Sequence, residues 1–119
     1  MLTITPPRLA LIVIAARERE AEMRAFKAGG TKATPARERL LQQIGRVEPG
    51  ELAELVALAW IGRGDFDAKD LPAALNQARK IMGTRPADYL AGMPGLADYL
   101  ERALAALGYG VEECQILPA

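Results

Sequence analysis

Histidine is missing from the chain, and its single cysteine, Cys114, has no second thiol to pair with. Together these facts remove the imidazole general base, the Ser-His-Asp and Cys-His couples, the ordinary zinc site and any internal disulfide. Carboxylate chemistry remains. Asp65, Asp67 and Asp70 are spaced closely enough to interest a hard cation, but the helix-loop-helix calcium pattern fails on them. Counted from Asp65, the fifth position is Lys69, the sixth is Asp70 instead of glycine, and the twelfth is Asn76 instead of a bidentate glutamate. Helix capping and the helix dipole account for these acids more simply, with Asp67 or Asp70 opening the next helix. No two acids are marked as a pair facing one another across a cleft. No catalytic, cofactor-binding or metal-ligating residue is therefore assigned, and no cofactor is expected.

Two other groups could contact a partner. The segment Gly62, Arg63, Gly64, Asp65 and Phe66 joins two helices and reads as a structural turn or an interaction loop. Its Arg-Gly-Asp tripeptide matches a cell-adhesion ligand only at the level of chance. Residues 24–46 are the most basic stretch, with Lys27, Lys32, Arg37, Arg39 and Arg46, and could contact phosphates. Only Phe26 could stack a base there, and no helix-turn-helix spacing accompanies it. Residues 1–49 hold nine Lys/Arg against five Asp/Glu, and residues 50–119 hold six against ten, so the zero net charge hides two opposite halves. Mutual attraction of the halves, within the fold or across a dimer, ranks ahead of nucleic-acid binding.

Helices must position these groups. Aromatics are only 5% of the chain, so Ala, Leu, Ile and Val fill the core, and Ala and Leu favour helix. The first helix is expected from Pro6 to Ala28, capped by Thr5 and stopped at Gly29-Gly30, with Leu9, Ile12, Val13, Ala16 and Met23 facing the core. Leu9 to Ala16 is apolar on every side and needs cover on two faces. Residues 29–49 are expected to be a linker-like connection holding a weak helix from Thr34-Pro35 to Ile44. Glu51 to Ile61 reads as the most buried helix, with Trp60 as a core anchor. Gly62 or Gly64 supplies the left-handed residue that closes it, and Phe66 packs back onto the core. The following helix runs to Met82 and buries Leu71, Leu75, Ala78 and Met82. Thr84 caps a short helix, and Pro94 starts a last one carrying Leu96, Leu100, Ala103, Leu104 and Leu107, with Gly108 as its stop. Ala-Asp-Tyr-Leu occurs at 87–90 and at 97–100, a local similarity between helix starts.

The stretch from Leu55 to Phe66, containing Trp60-Ile61-Gly62-Arg63-Gly64-Asp65, resembles a small bacterial protein family called domain of unknown function 3775. So do Ala87-Asp88-Tyr89-Leu90, Gly92-Met93-Pro94 and Leu96 to Leu100. The likeness covers about residues 47–109, and Ala15-Ala16-Arg17-Glu18 is similar too. It implies the helical fold and carries no activity or catalytic residue with it.

The expected fold is all-α, a compact bundle of about four main helices with short connecting helices, in one domain over residues 1–119 with its core at 50–109. The expected function is a non-catalytic interaction or regulatory module that self-associates, because a small domain supplies limited cover for helices apolar on several sides. Leu11 and Ile14 would form the dimer contact, and an unidentified protein would be a further partner. Binding of nucleic acid or an acidic partner through 24–46 is the alternative, and a carboxylate enzyme comes third. The eight-residue apolar run is far shorter than the roughly 20 residues of a membrane span and runs directly into Arg17-Glu18-Arg19-Glu20, which points to the cytoplasm.

Overall fold

The computed structural model describes residues 3–26, 35–81 and 86–108. Among them are six α-helices and no strand: α1 (Pro6–Phe26), α2 (Pro35–Gly45), α3 (Pro49–Arg63), α4 (Leu71–Lys80), α5 (Pro86–Ala91) and α6 (Leu96–Ala106). One turn of 3-10 helix, Ala68–Asp70, leads into α4. The fold is all-α, and no helix is long and apolar enough to cross a membrane among the described residues.

α3 is the centre because it has no polar stripe to turn outward. Ala53 to Ala59 are buried without interruption, as is Ile61, and the helix packs on α4, α5 and α6. A helix apolar around its circumference is stable only when neighbours enclose it. Its start is fixed by Pro49 in the first turn and by Glu51, whose Oε1 accepts the Glu48 N–H at 3.0 Å. Its end is fixed by Gly64, at φ 103°, whose N–H reaches Trp60 O at 3.0 Å while Asp65 N–H reaches the same oxygen at 2.9 Å. Gly64 is thus the left-handed residue of the two glycines considered.

α1 begins after Thr5, whose carbonyl accepts the Leu9 N–H at 3.0 Å. The fold itself covers most of its apolar run: Leu9, Ala10, Ile12, Val13, Ala15 and Ala16 are buried against α2 and α6, leaving Leu11 partly covered and Ile14 40% exposed. Met23, expected on the core face, is 48% exposed instead. The helix foreseen within the basic segment is a full element of the bundle rather than a weak one. α2 buries Ala36, Leu40 and Ile44 at helical spacing against α1 and α5. Leu71, Ala74 and Ala78 of α4 are buried and Leu75 partly so.

The last helix starts at Leu96, two residues later than the Pro94 start expected, because Met93 to Gly95 form a turn in which Leu96 N–H reaches Met93 O at 3.3 Å. Leu96, Leu100, Ala103 and Leu104 then bury the anticipated stripe, and Gly108 follows at φ 94°. Lys27, Gly29 to Thr34, Met82 to Arg85, and Tyr109 onward with Cys114, lie outside the described residues, so the caps and stops expected there do too.

Candidate functional site

The end of α3 cannot be enclosed as its middle is, because the chain reverses there and two tyrosines arrive from α5 and α6. Gly62 makes the close approach possible. A Cβ at this position would lie 1.8 Å from the Tyr99 carbonyl oxygen and 2.4 Å from its carbonyl carbon. Gly62 therefore serves helix-to-helix contact rather than a left-handed turn. Gly95 does a related job, since its missing Cβ leaves room for the Tyr99 ring 2.9 Å from where it would sit.

Beside this crossing, four side chains share one surface. Trp60, expected as a buried anchor, is only partly buried, and its indole stacks on Phe66 with ring centroids 5.9 Å apart. Phe66 does return to the core, but as a half-covered ring over Trp60. Trp60 Nε1 donates to the Tyr89 hydroxyl oxygen at 2.8 Å, and Arg63 Nη2 donates to the same oxygen at 3.5 Å. Tyr89 is 39% exposed, and with its oxygen taken by two donors its own O–H is left as an outward donor. Arg63 is fixed from the other side by Asp65, through Nε at 2.9 Å and Nη2 at 2.6 Å, and this hydrogen bond raises the guanidinium pKa further. The result is a preordered face of three aromatic rings and a guanidinium. Of the five residues singled out from sequence, Arg63, Asp65 and Phe66 join it, while Gly62 and Gly64 shape the backbone beneath.

The remaining acids serve the fold. Glu54, 6% exposed in the middle of α3, accepts the backbone N–H of Thr3 at 2.9 and 2.8 Å, the Thr3 hydroxyl at 2.8 Å and the Ile4 N–H at 2.9 Å. Sequence reasoning passed over it, although one acid between Ala53 and Leu55 is a visible interruption of the apolar run. Asp67 and Asp70 precede the 3-10 turn and α4, yet neither side chain makes a capping hydrogen bond. What is left to them is the helix dipole.

The opposite charges of the two halves meet inside the fold. Arg17 pairs with Asp98 at 3.2 Å and also with Glu101, and Arg37 pairs with Asp88 at 3.7 Å. Arg39 turns back on α1, to Glu18 at 3.2 Å and Glu22 at 3.8 Å. The repeated Ala-Asp-Tyr-Leu is used the same way twice: each aspartate meets an arginine of the basic half, each leucine is buried, and each tyrosine borders the end of α3.

No curated protein and no solved structure matches the chain. The family described as a protein of unknown function (DUF3775) matches residues 37–109, from within α2 to just past α6, and so includes Trp60, Arg63, Phe66, Tyr89 and Tyr99. The likeness at Ala15 to Glu18 falls outside that span. By this match over more than half its length, the chain belongs to the family of proteins of unknown function DUF3775.

Proposed function

We propose that the protein is a non-catalytic interaction module that docks a protein partner on the face formed by Trp60, Arg63, Phe66 and Tyr89. The observation that carries this reading is the pair of hydrogen bonds ending on the Tyr89 oxygen, which hold an indole and a guanidinium at the surface before any partner arrives. Trp, Tyr and Arg are the residue types that dominate binding energy at interfaces, and prior ordering reduces the entropy lost on association. The acids support a structural assignment for themselves, since Asp65, Asp88, Asp98 and Glu101 all engage arginines and Glu54 holds backbone amides. Binding of nucleic acid through 24–46 has less support, because Arg37 and Arg39 are already engaged by acids. Self-association through α1 rests on Ile14 and on the partly covered Leu11.

Site-specific photocrosslinking in producing cells tests the docking face. A photoreactive side chain at Arg63 or Phe66 should capture one discrete protein, and the same group at the exposed Ala73 of α4 should not. Equal capture from all three positions would refute the assignment.

A further inference from the structure

A groove of 380 Å³ lies between the second half of α1 and the turn joining α5 to α6. Arg19, Glu20, Met23, Arg24, Pro94 and Asp98 line it. Its two acids already have partners: Glu20 Oε2 accepts the Ala97 N–H at 3.3 Å, and Asp98 pairs with Arg17. Among the described residues neither Arg19 nor Arg24 stands in a close ion pair, and Glu20 attracts both of them only at longer range. The Arg19 Nε is buried and has no acceptor. A buried donor on a charged group without a partner is costly, and burial followed by repulsion from Arg37 lowers the Arg19 pKa accordingly. A negatively charged group in the groove would neutralise both guanidiniums, while Met23 and Pro94 give it an apolar wall.

We propose that this groove binds a small oxyanion ligand, a carboxylate or phosphate group on a short apolar body, through Arg19 and Arg24. Glu20 limits the affinity, because its carboxylate faces the same space. The groove shares none of its lining residues with the docking face of Trp60, Arg63, Phe66 and Tyr89.

Titrations of the full chain with inorganic phosphate and with butyrate at low ionic strength, followed by NMR of the Ala97 and Gly92 amides, test it. Saturable shifts with a dissociation constant of about 1 mM or lower are expected for at least one probe. Phosphate alone would identify a phosphate-bearing ligand, butyrate alone a carboxylate, and both the shared oxyanion chemistry. Arg19→Gln and Arg24→Gln should each weaken binding about tenfold while leaving the circular dichroism spectrum unchanged. Glu20→Gln keeps an acceptor for Ala97 and removes a repelling charge, so it should tighten binding. Absence of saturation up to about 10 mM for both probes would overturn the proposal. So would native affinity in the Arg19→Gln/Arg24→Gln double variant, or weaker binding in Glu20→Gln.

Discussion

Replacing Gly62 by alanine should destabilise the protein, although the same change inside a solvated helix stabilises by up to about 1 kcal/mol through propensity. The new Cβ would sit 1.8 Å from Tyr99 O, so α3 and α6 must part by about 1.6 Å to reach the 3.4 Å of ordinary contact. What obstructs it is backbone, which cannot rotate aside as a side chain can. A gap of even 0.5–1 Å forfeits roughly a quarter to a half of the dispersion energy across it, and this seam includes the buried Leu58, Leu100 and Leu104. Overpacking of this kind costs about 1–3 kcal/mol or more, and the upper end applies here. With about 4 °C per kcal/mol for a domain of this size, Gly62→Ala should melt roughly 12 °C below the native protein by calorimetry. Gly64 provides the contrast. Nothing lies within 4 Å of a Cβ there, so Gly64→Ala should cost only the about 1–2 kcal/mol of its positive φ, and Gly64→Asn should recover part of that. Gly62→Ala that melts at or above the native temperature would refute the close-approach argument.

Urea unfolding of Glu54→Ala should show a loss of about 3 kcal/mol, the worth of burying Ile4, because the terminus detaches once its amides lose their acceptor. Phe66→Ala should cost about 2 kcal/mol, less than a fully buried ring, because only one face is covered by Trp60; Asp65→Ala should cost under about 1 kcal/mol, as an exposed ion pair does. Burial raises the Glu20 pKa above the ordinary 4.5, so the folded state binds its proton more tightly than the unfolded state. This group's share of stability should fall as pH rises through that window, and Glu20→Gln should flatten this part of the melting-temperature profile. If α1 mediates a dimer, light scattering at micromolar concentration should report twice the chain mass and Ile14→Glu half of that; a native monomer would end the self-association reading.

The helices were legible wherever burial had a period, as with Leu96, Leu100, Ala103 and Leu104, or where the run was apolar throughout, as in α3. α2 is hard to read from sequence because its three core residues are diluted by charge, and those charges form solvent-exposed ion pairs with α1 and α5. Met23 misled because helical spacing says nothing about where the neighbouring helices end. Arg63, Asp65 and Phe66 could be found locally, as a punctuated turn after an apolar helix. Tyr89 could not, since its place beside Trp60 depends on α5 crossing the end of α3, a contact 29 residues apart in sequence. Glu54 gave a signal in its isolation, but its partners at Thr3 and Ile4 are 51 and 50 residues away.

Affinity for the protein captured at the docking face, measured by calorimetry with the native chain and with Arg63→Ala and Tyr89→Phe, decides between a recognition surface and a merely structural cluster. Arg63→Ala should weaken binding about 30-fold, as an anchor worth about 2 kcal/mol does, and Tyr89→Phe should weaken it less while keeping the fold. Both variants folding as the native chain does and binding with native affinity would contradict the assignment of this face as the interaction site.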